Sequence, residues 1–153
     1  MIPETLDGWT FDVVRTLCEQ LQPEGERHDF KFEFQEPCKT TKICCAFANA
    51  YGGFLVVGVR DGGPPAARPE GIRRSLEILK VLRDKVKAEP EIEIRGPRPI
   101  PVPGSEKVIY VFEVPRSERR PHLPSRKEDR VFWKRLGSQC EQKSWLGKNG
   151  QDR

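Results

Sequence analysis

Residues 24–61 read EGERHDFKFEFQEPCKTTKICCAFANAYGGFLVVGVRD. In RHDFKFEF the apolar period is two. His28, Phe30, Phe32 and Phe34 fall on one face, and Arg27, Asp29, Lys31 and Glu33 on the other. This predicts a strand whose phenylalanine face enters the core. From Thr40 to Tyr51 the period becomes helical, with Ile43, Phe47, Ala50 and Tyr51 in one stripe and Thr40 or Thr41 as N-cap. Gly52-Gly53 supplies a C-terminal stop. The run FLVVGV then reads as a central strand buried on both faces, in which Gly58 predicts close approach of another backbone. Strand, helix and strand with short connections imply a parallel crossover.

Outward from this unit, Phe11, Val14, Leu17, Cys18 and Leu21 form an N-terminal helix, broken by Pro23 and Gly25. Asp61 to Gly71 is a loop by composition, and Ile72 to Ala88 has a helical stripe of Ile72, Leu76, Leu79, Leu82 and Val86. Glu91–Arg95 and Lys107–Val114 pair as a hairpin across a proline-rich bend. A basic loop, Pro115 to Arg130, precedes a last strand, VFWKRL. The expected architecture is α+β: one mixed sheet in two layers, with helices mainly on one side. Residues 1–138 form a single domain, and 139–153 a polar tail.

The 153 residues suffice for one domain with a core. A third of them are charged, and no run is long and apolar enough to span a membrane. The start MIPETLDGW lacks a basic n-region, so an intracellular site is expected, cytoplasm or nucleus. Net charge is +4, with basic residues gathered late, among them Arg116, Arg119, Arg120, Lys134 and Arg135. That distribution permits nucleic-acid binding and equally describes a solvated loop. Five cysteines, two of them adjacent in an apolar helix, do not make a disulfide framework, and Cys44 and Cys45 read as buried thiols.

Asp29 and Lys31 project from one strand face. Glu24 lies five residues before Asp29, where the chain can curl toward the same edge, and Asp61 follows the central strand. Three oxygen ligands of this kind suit Mg2+ or Mn2+, which keep waters and accept phosphate oxygens, while Lys31 can stabilise developing negative charge. On spacing alone, Asp61 before Gly62-Gly63 is also a plain turn and Glu24 a plain helix-end residue. His122 is a candidate contact to a phosphate or a base, or a turn residue. The sequence has no phosphate-binding P-loop, no Gly-x-Ser-x-Gly and no His-Glu-x-x-His.

At these residues the chain resembles the Schlafen core, or AlbA-like, domain family. The family's Glu-x-x-x-x-Glu-Phe-Lys resembles Glu24 through Asp29-Phe30-Lys31, and its Ala-Phe-Ala-Asn-x-x-Gly-Gly is Ala46 to Gly53. Its Gly-Val-x-Asp is Gly58 to Asp61. Its Ser-x-x-Arg-Pro and Arg-x-Gly-Ser elements resemble Ser117 to Pro121 and Arg135 to Ser138. The resemblance implies a nucleic-acid-processing domain. Relatives include metal-dependent endoribonucleases that cut tRNA and rRNA, whose three acids fall by motif on Glu24, Asp29 and Asp61. Asp29 departs from the family's usual Glu, and those nucleases carry two lobes where this chain has one. It therefore implies an Mg2+- or Mn2+-dependent endoribonuclease on structured RNA such as tRNA, with DNA also possible as partner. Lys31 would assist, and Lys39, Lys42, Arg119, Arg120, His122, Lys134 and Arg135 would contact nucleic acid. A homodimer or a related chain would supply the second lobe. The alternative is a non-catalytic DNA- or RNA-binding, or protein-interaction, domain of a larger assembly.

Overall fold

The computed structural model describes residues 2–20, 27–34, 36–125, 132–136 and 139–143. Its centre is a strand buried at every position, β2 (Gly53–Val57). On one side β2 pairs in parallel with β1 (His28–Lys31), reached through helix α2 (Pro37–Asn49). On the other side it pairs antiparallel with β5 (Val108–Val114), which pairs antiparallel with β4 (Arg95–Pro101). The order β1-β2-β5-β4 makes a mixed four-stranded sheet in a single α+β lobe. Short pairs of Ala88–Glu89 (β3) with Leu123–Pro124 (β6), and of Phe132–Leu136 (β7) with Gln139–Lys143 (β8), flank it.

Because side chains alternate along a strand, β2 and β5 feed two cores. Leu55, Val57, Tyr110, Phe112 and Val114 meet Ile43, Cys44 and Phe47 of α2, and Ile78 and Leu82 of α3 (Ile78–Lys85). Phe54, Val56, Ile109 and Val111 meet Trp9, Phe30 and residues Val14, Leu17 and Cys18 of α1 (Phe11–Glu19). Among the described residues, two of the three α-helices thus lie on one face, and α1 covers the other. Cys44 and Cys45 are buried and not disulfide-bonded, as expected. Among the described residues no helix is long and apolar enough to cross a membrane.

Several local expectations change. The phenylalanine strand stops at Lys31, whose carbonyl receives the N–H groups of both Gly58 and Val59 (2.8 and 3.2 Å). Phe30 enters the α1 core, whereas Phe34 packs on the α2 core against Phe112, so the alternation does not continue past the strand end. Helix α2 starts at Pro37, not at Thr40: proline at the first turn lacks only a hydrogen bond that no partner would make there. Thr41 is interior and ties α2 to the end of α3, donating to the Lys85 carbonyl (3.0 Å) and accepting from the Lys87 N–H (3.1 Å).

Helix α3 begins six residues later than the periodicity predicts. Ile72 bridges to Val108, and Leu76, placed in the apolar stripe by sequence, is 98 % exposed. The hairpin partner of β5 is the proline-rich segment itself, because β4 is an edge strand, where residues without an N–H are tolerated. At the C-terminal side, Gln139–Lys143 pairs with β7, so strand structure continues beyond residue 138, where the sequence reading began a tail.

Candidate functional site

The antiparallel register of β2 on β5 fixes two ends of the sheet, since Gly53 faces Val114 and Val57 faces Tyr110. Near the first end lie the exit of α2 and the start of the basic segment. Gly52, at φ +78°, turns the chain out of α2 with its N–H on the Phe47 carbonyl (2.8 Å). A Cβ there would stand 2.7 Å from the Arg116 nitrogen, so only glycine lets helix exit and basic segment pass this closely.

The basic segment is anchored rather than loose. Asn49 is buried, and its amide nitrogen donates to the carbonyls of His122 (3.0 Å) and Trp133 (2.9 Å). Its carbonyl oxygen accepts the His122 N–H (2.8 Å). One carboxamide therefore fixes the segment carrying Arg116, Arg119 and Arg120, and also strand β7, which carries Lys134 and Arg135. Lys42 of α2 lies over the Trp133 ring, 4.8 Å from its centre, and Lys39 is exposed one turn earlier.

His122, expected as a phosphate or base contact or as a turn residue, is almost wholly buried at the wall of a cavity. Its ring is 1 % exposed, with Nδ1 2.6 Å from the Pro90 carbonyl and Nε2 2.5 Å from Ser117 Oγ. A carbonyl only accepts, so Nδ1 carries the proton and Nε2 accepts from the serine hydroxyl. Burial holds the imidazole below its usual pKa; the Pro90 carbonyl opposes that shift and the Arg119 charge adds to it. The ring is a neutral brace. With it, Glu91, Glu93, Glu118, Arg95, Arg116 and Arg119 line a cavity of about 430 Å3.

The acidic candidates lie elsewhere. Asp29 stands beside Leu55 on β1, an outer strand of the sheet, 3 % exposed, its Oδ1 2.7 Å from Lys31 Nζ. Asp61 is exposed in the turn beyond the C-terminal end of β2, the end opposite Asn49. Its neighbour Arg60 is held firmly. The guanidinium forks onto Glu70 (3.0 and 3.1 Å) and lies 3.8 Å from the centre of the Phe32 ring. Arg60 and Lys107 together lower the Glu70 carboxyl to about 2. Glu24 lies outside the described residues.

With this geometry in hand, the family model for Schlafen, AlbA_2 matches residues 24–144, most of the chain. The chain belongs to the Schlafen AlbA_2 family. Membership gives it a nucleic-acid-related function at that coarse level. Among solved structures it is similar to the DIP2311 protein from Corynebacterium diphtheriae, at 18 % identity and a TM-score of 0.49, over 76 % of this chain. It spans 22 % of the length of that protein. A search of curated proteins returned no match.

The ion implied by the Schlafen resemblance asks for oxygen donors within one shared reach. Among the described residues, no three Asp, Glu, His or Cys side chains gather in that way. Asp29 is shielded and ion-paired, and Asp61 is solvent-facing at one end of the sheet. Asp29 and Asp61 are the two described members of the expected ligand set, and no chemical step is derived through a metal. Sequence reading missed the part played by Asn49, although the residue stood in the Ala-Phe-Ala-Asn motif: an asparagine at the end of an apolar helix signals buried amide donors.

Proposed function

We propose that this Schlafen AlbA_2 domain binds nucleic acid through its phosphodiester backbone. The contact face is the Arg116–Arg120 segment together with β7. The observation that carries the reading is the triple hydrogen bonding of Asn49, which supports a pre-ordered cationic surface. A surface already ordered loses less conformational entropy on binding than a loose loop. Arg116, Arg119 and Arg120 have no side-chain partner among the described residues, so their donors are available to phosphate oxygens.

The finer family expectation, Mg2+- or Mn2+-dependent endoribonuclease activity on structured RNA such as tRNA, is tested together with binding. Purified protein is titrated into labelled tRNA and a DNA duplex at several salt concentrations, with and without Mn2+. Binding predicts an affinity that falls steeply with salt, is weakened at least tenfold by Arg119→Glu with Arg120→Glu, and needs no metal. Mn2+-dependent cleavage that Asp61→Ala abolishes would make the domain a nuclease instead. Undiminished binding by the double charge reversal would overturn the proposed face.

A further inference from the structure

The pairing of Ile72 with Val108, where sequence periodicity predicts helix, changes what the next two residues can do. Arg73 and Arg74 are exposed on a backbone pinned from both sides. Before them, Ile72 and Val108 exchange two hydrogen bonds of 2.9 Å. After them, the Tyr110 hydroxyl accepts the Ser75 N–H (2.9 Å) and donates to the Ser75 carbonyl (3.2 Å). The two arginines line a second cavity, of about 620 Å3, with Pro101, Ser105, Glu106 and Lys107, whose Nζ is paired with Glu70 (3.1 Å).

The distribution of unpaired guanidinium groups points the same way. Arg15, Arg60, Arg68, Arg83, Arg95 and Arg98 each donate to a carboxylate or a carbonyl. Arg27 apart, the described arginine side chains without a partner among the described residues are Arg73 and Arg74, and Arg116, Arg119 and Arg120. These form two groups, one at each end of β5. Ile72 meets its first residue, and Arg116 follows two residues after its last. Six strand steps separate those ends by about 20 Å. Edge strand β4 runs alongside from one cavity to the other, with Arg95 lining the first and Pro101 the second.

We infer that Arg73 and Arg74 form a second phosphate-binding site, and that a nucleic-acid backbone runs along the β4 edge between the two cationic ends. This rests on the nucleic-acid reading above and extends it to a site at the opposite end of the sheet. Three prolines in β4 leave that edge poorly able to accept another protein strand, which keeps it open to a different ligand. About 20 Å corresponds to about six phosphates along one strand of a duplex, so one molecule can engage both ends.

The test is fluorescence anisotropy with a 16-base-pair RNA duplex, its DNA counterpart and a trinucleotide, comparing wild type, Arg73→Ala/Arg74→Ala and Arg119→Ala/Arg120→Ala. Circular dichroism checks that each variant is folded. For the long duplexes, the Arg73/Arg74 variant is expected to lower the salt slope by about two and to weaken binding about tenfold. The trinucleotide, too short to span the edge, is expected to bind both double variants nearly as well as wild type, because each keeps one cationic end. Long-duplex binding unchanged in Arg73→Ala/Arg74→Ala but weakened in Arg119→Ala/Arg120→Ala overturns the second site and leaves the first. Unchanged binding in both variants overturns the two readings together. RNA and DNA arms of equal slope assign the contact to phosphate; a response confined to one of them overturns a pure backbone contact.

Discussion

Asn49, His122 and Asp29 are buried polar side chains, and each makes a different prediction. Replacing Asn49 with alanine leaves the His122 N–H and two carbonyls without their partner. Each buried group left unpaired costs about 1–3 kcal/mol, so Asn49→Ala is expected to lower the unfolding free energy by about 2–4 kcal/mol in urea titration. It should also loosen the Arg119–Arg120 segment and so weaken nucleic-acid binding; full stability with full binding would refute the anchoring role. For His122 the folded pKa lies below the unfolded value. The unfolded chain therefore takes up a proton first, and stability is complete above about pH 6.5 and falls as pH drops through the folded pKa. His122→Gln, which does not titrate, should flatten that acid limb in thermal melts recorded from pH 7 to 5. Asp29 bears on how catalysis can be tested. Asp29→Ala removes a carboxylate that is 3 % exposed and ion-paired with Lys31 (2.7 Å), and losing one member of such a pair is costly. Loss of activity in Asp29→Ala would thus follow from misfolding as well as from chemistry, whereas exposed Asp61 is the clean probe.

Among the elements, the sheet centre was legible because FLVVGV is apolar at every position, a pattern that only a strand covered on both faces satisfies. The approach of a second backbone at Gly58 was legible too. Gly58 has φ +113°, an added Cβ would lie 3.0 Å from the Gly71 Cα, and its carbonyl accepts the Gly71 N–H (2.7 Å). Gly58→Ala is expected to cost about 1–3 kcal/mol, read as a lower midpoint in chemical denaturation at unchanged slope. What was not legible depended on tertiary partners. Ile72 and Leu76 have helical spacing, but the Val108 edge captures Ile72 first, and Leu76 is left in solvent. The prolines of β4 look like a bend until the strand is known to be an edge. The candidate site divides in the same way. Motif order located the Arg116–Arg120 segment, but nothing in linear spacing shows that Asp61 and Arg119 lie at opposite ends of one sheet, since that follows only from the antiparallel pairing of β2 with β5.

For the whole molecule, the decisive feature is that one sheet serves two cores. Adjacent residues of β2 belong to different ones: Phe54 packs with Trp9 and α1, and Leu55 with α2 and α3. The two cores cannot be lost independently, because unfolding either strips one side of the same strands. The α1 face, although built from the N-terminal segment, should therefore not melt ahead of the rest. Phe54→Ala and Leu55→Ala open cavities on opposite faces, with expected costs of about 3–5 and 2–5 kcal/mol. Both variants should unfold in a single transition, with the midpoint from tryptophan fluorescence, which includes fully buried Trp9, coinciding with that from far-UV circular dichroism. A fluorescence change that precedes the loss of circular dichroism in Phe54→Ala would show that α1 and its core detach alone. The two cationic ends joined through β5 would then be carried by the α2–α3 side of the sheet without help from the N-terminal helix.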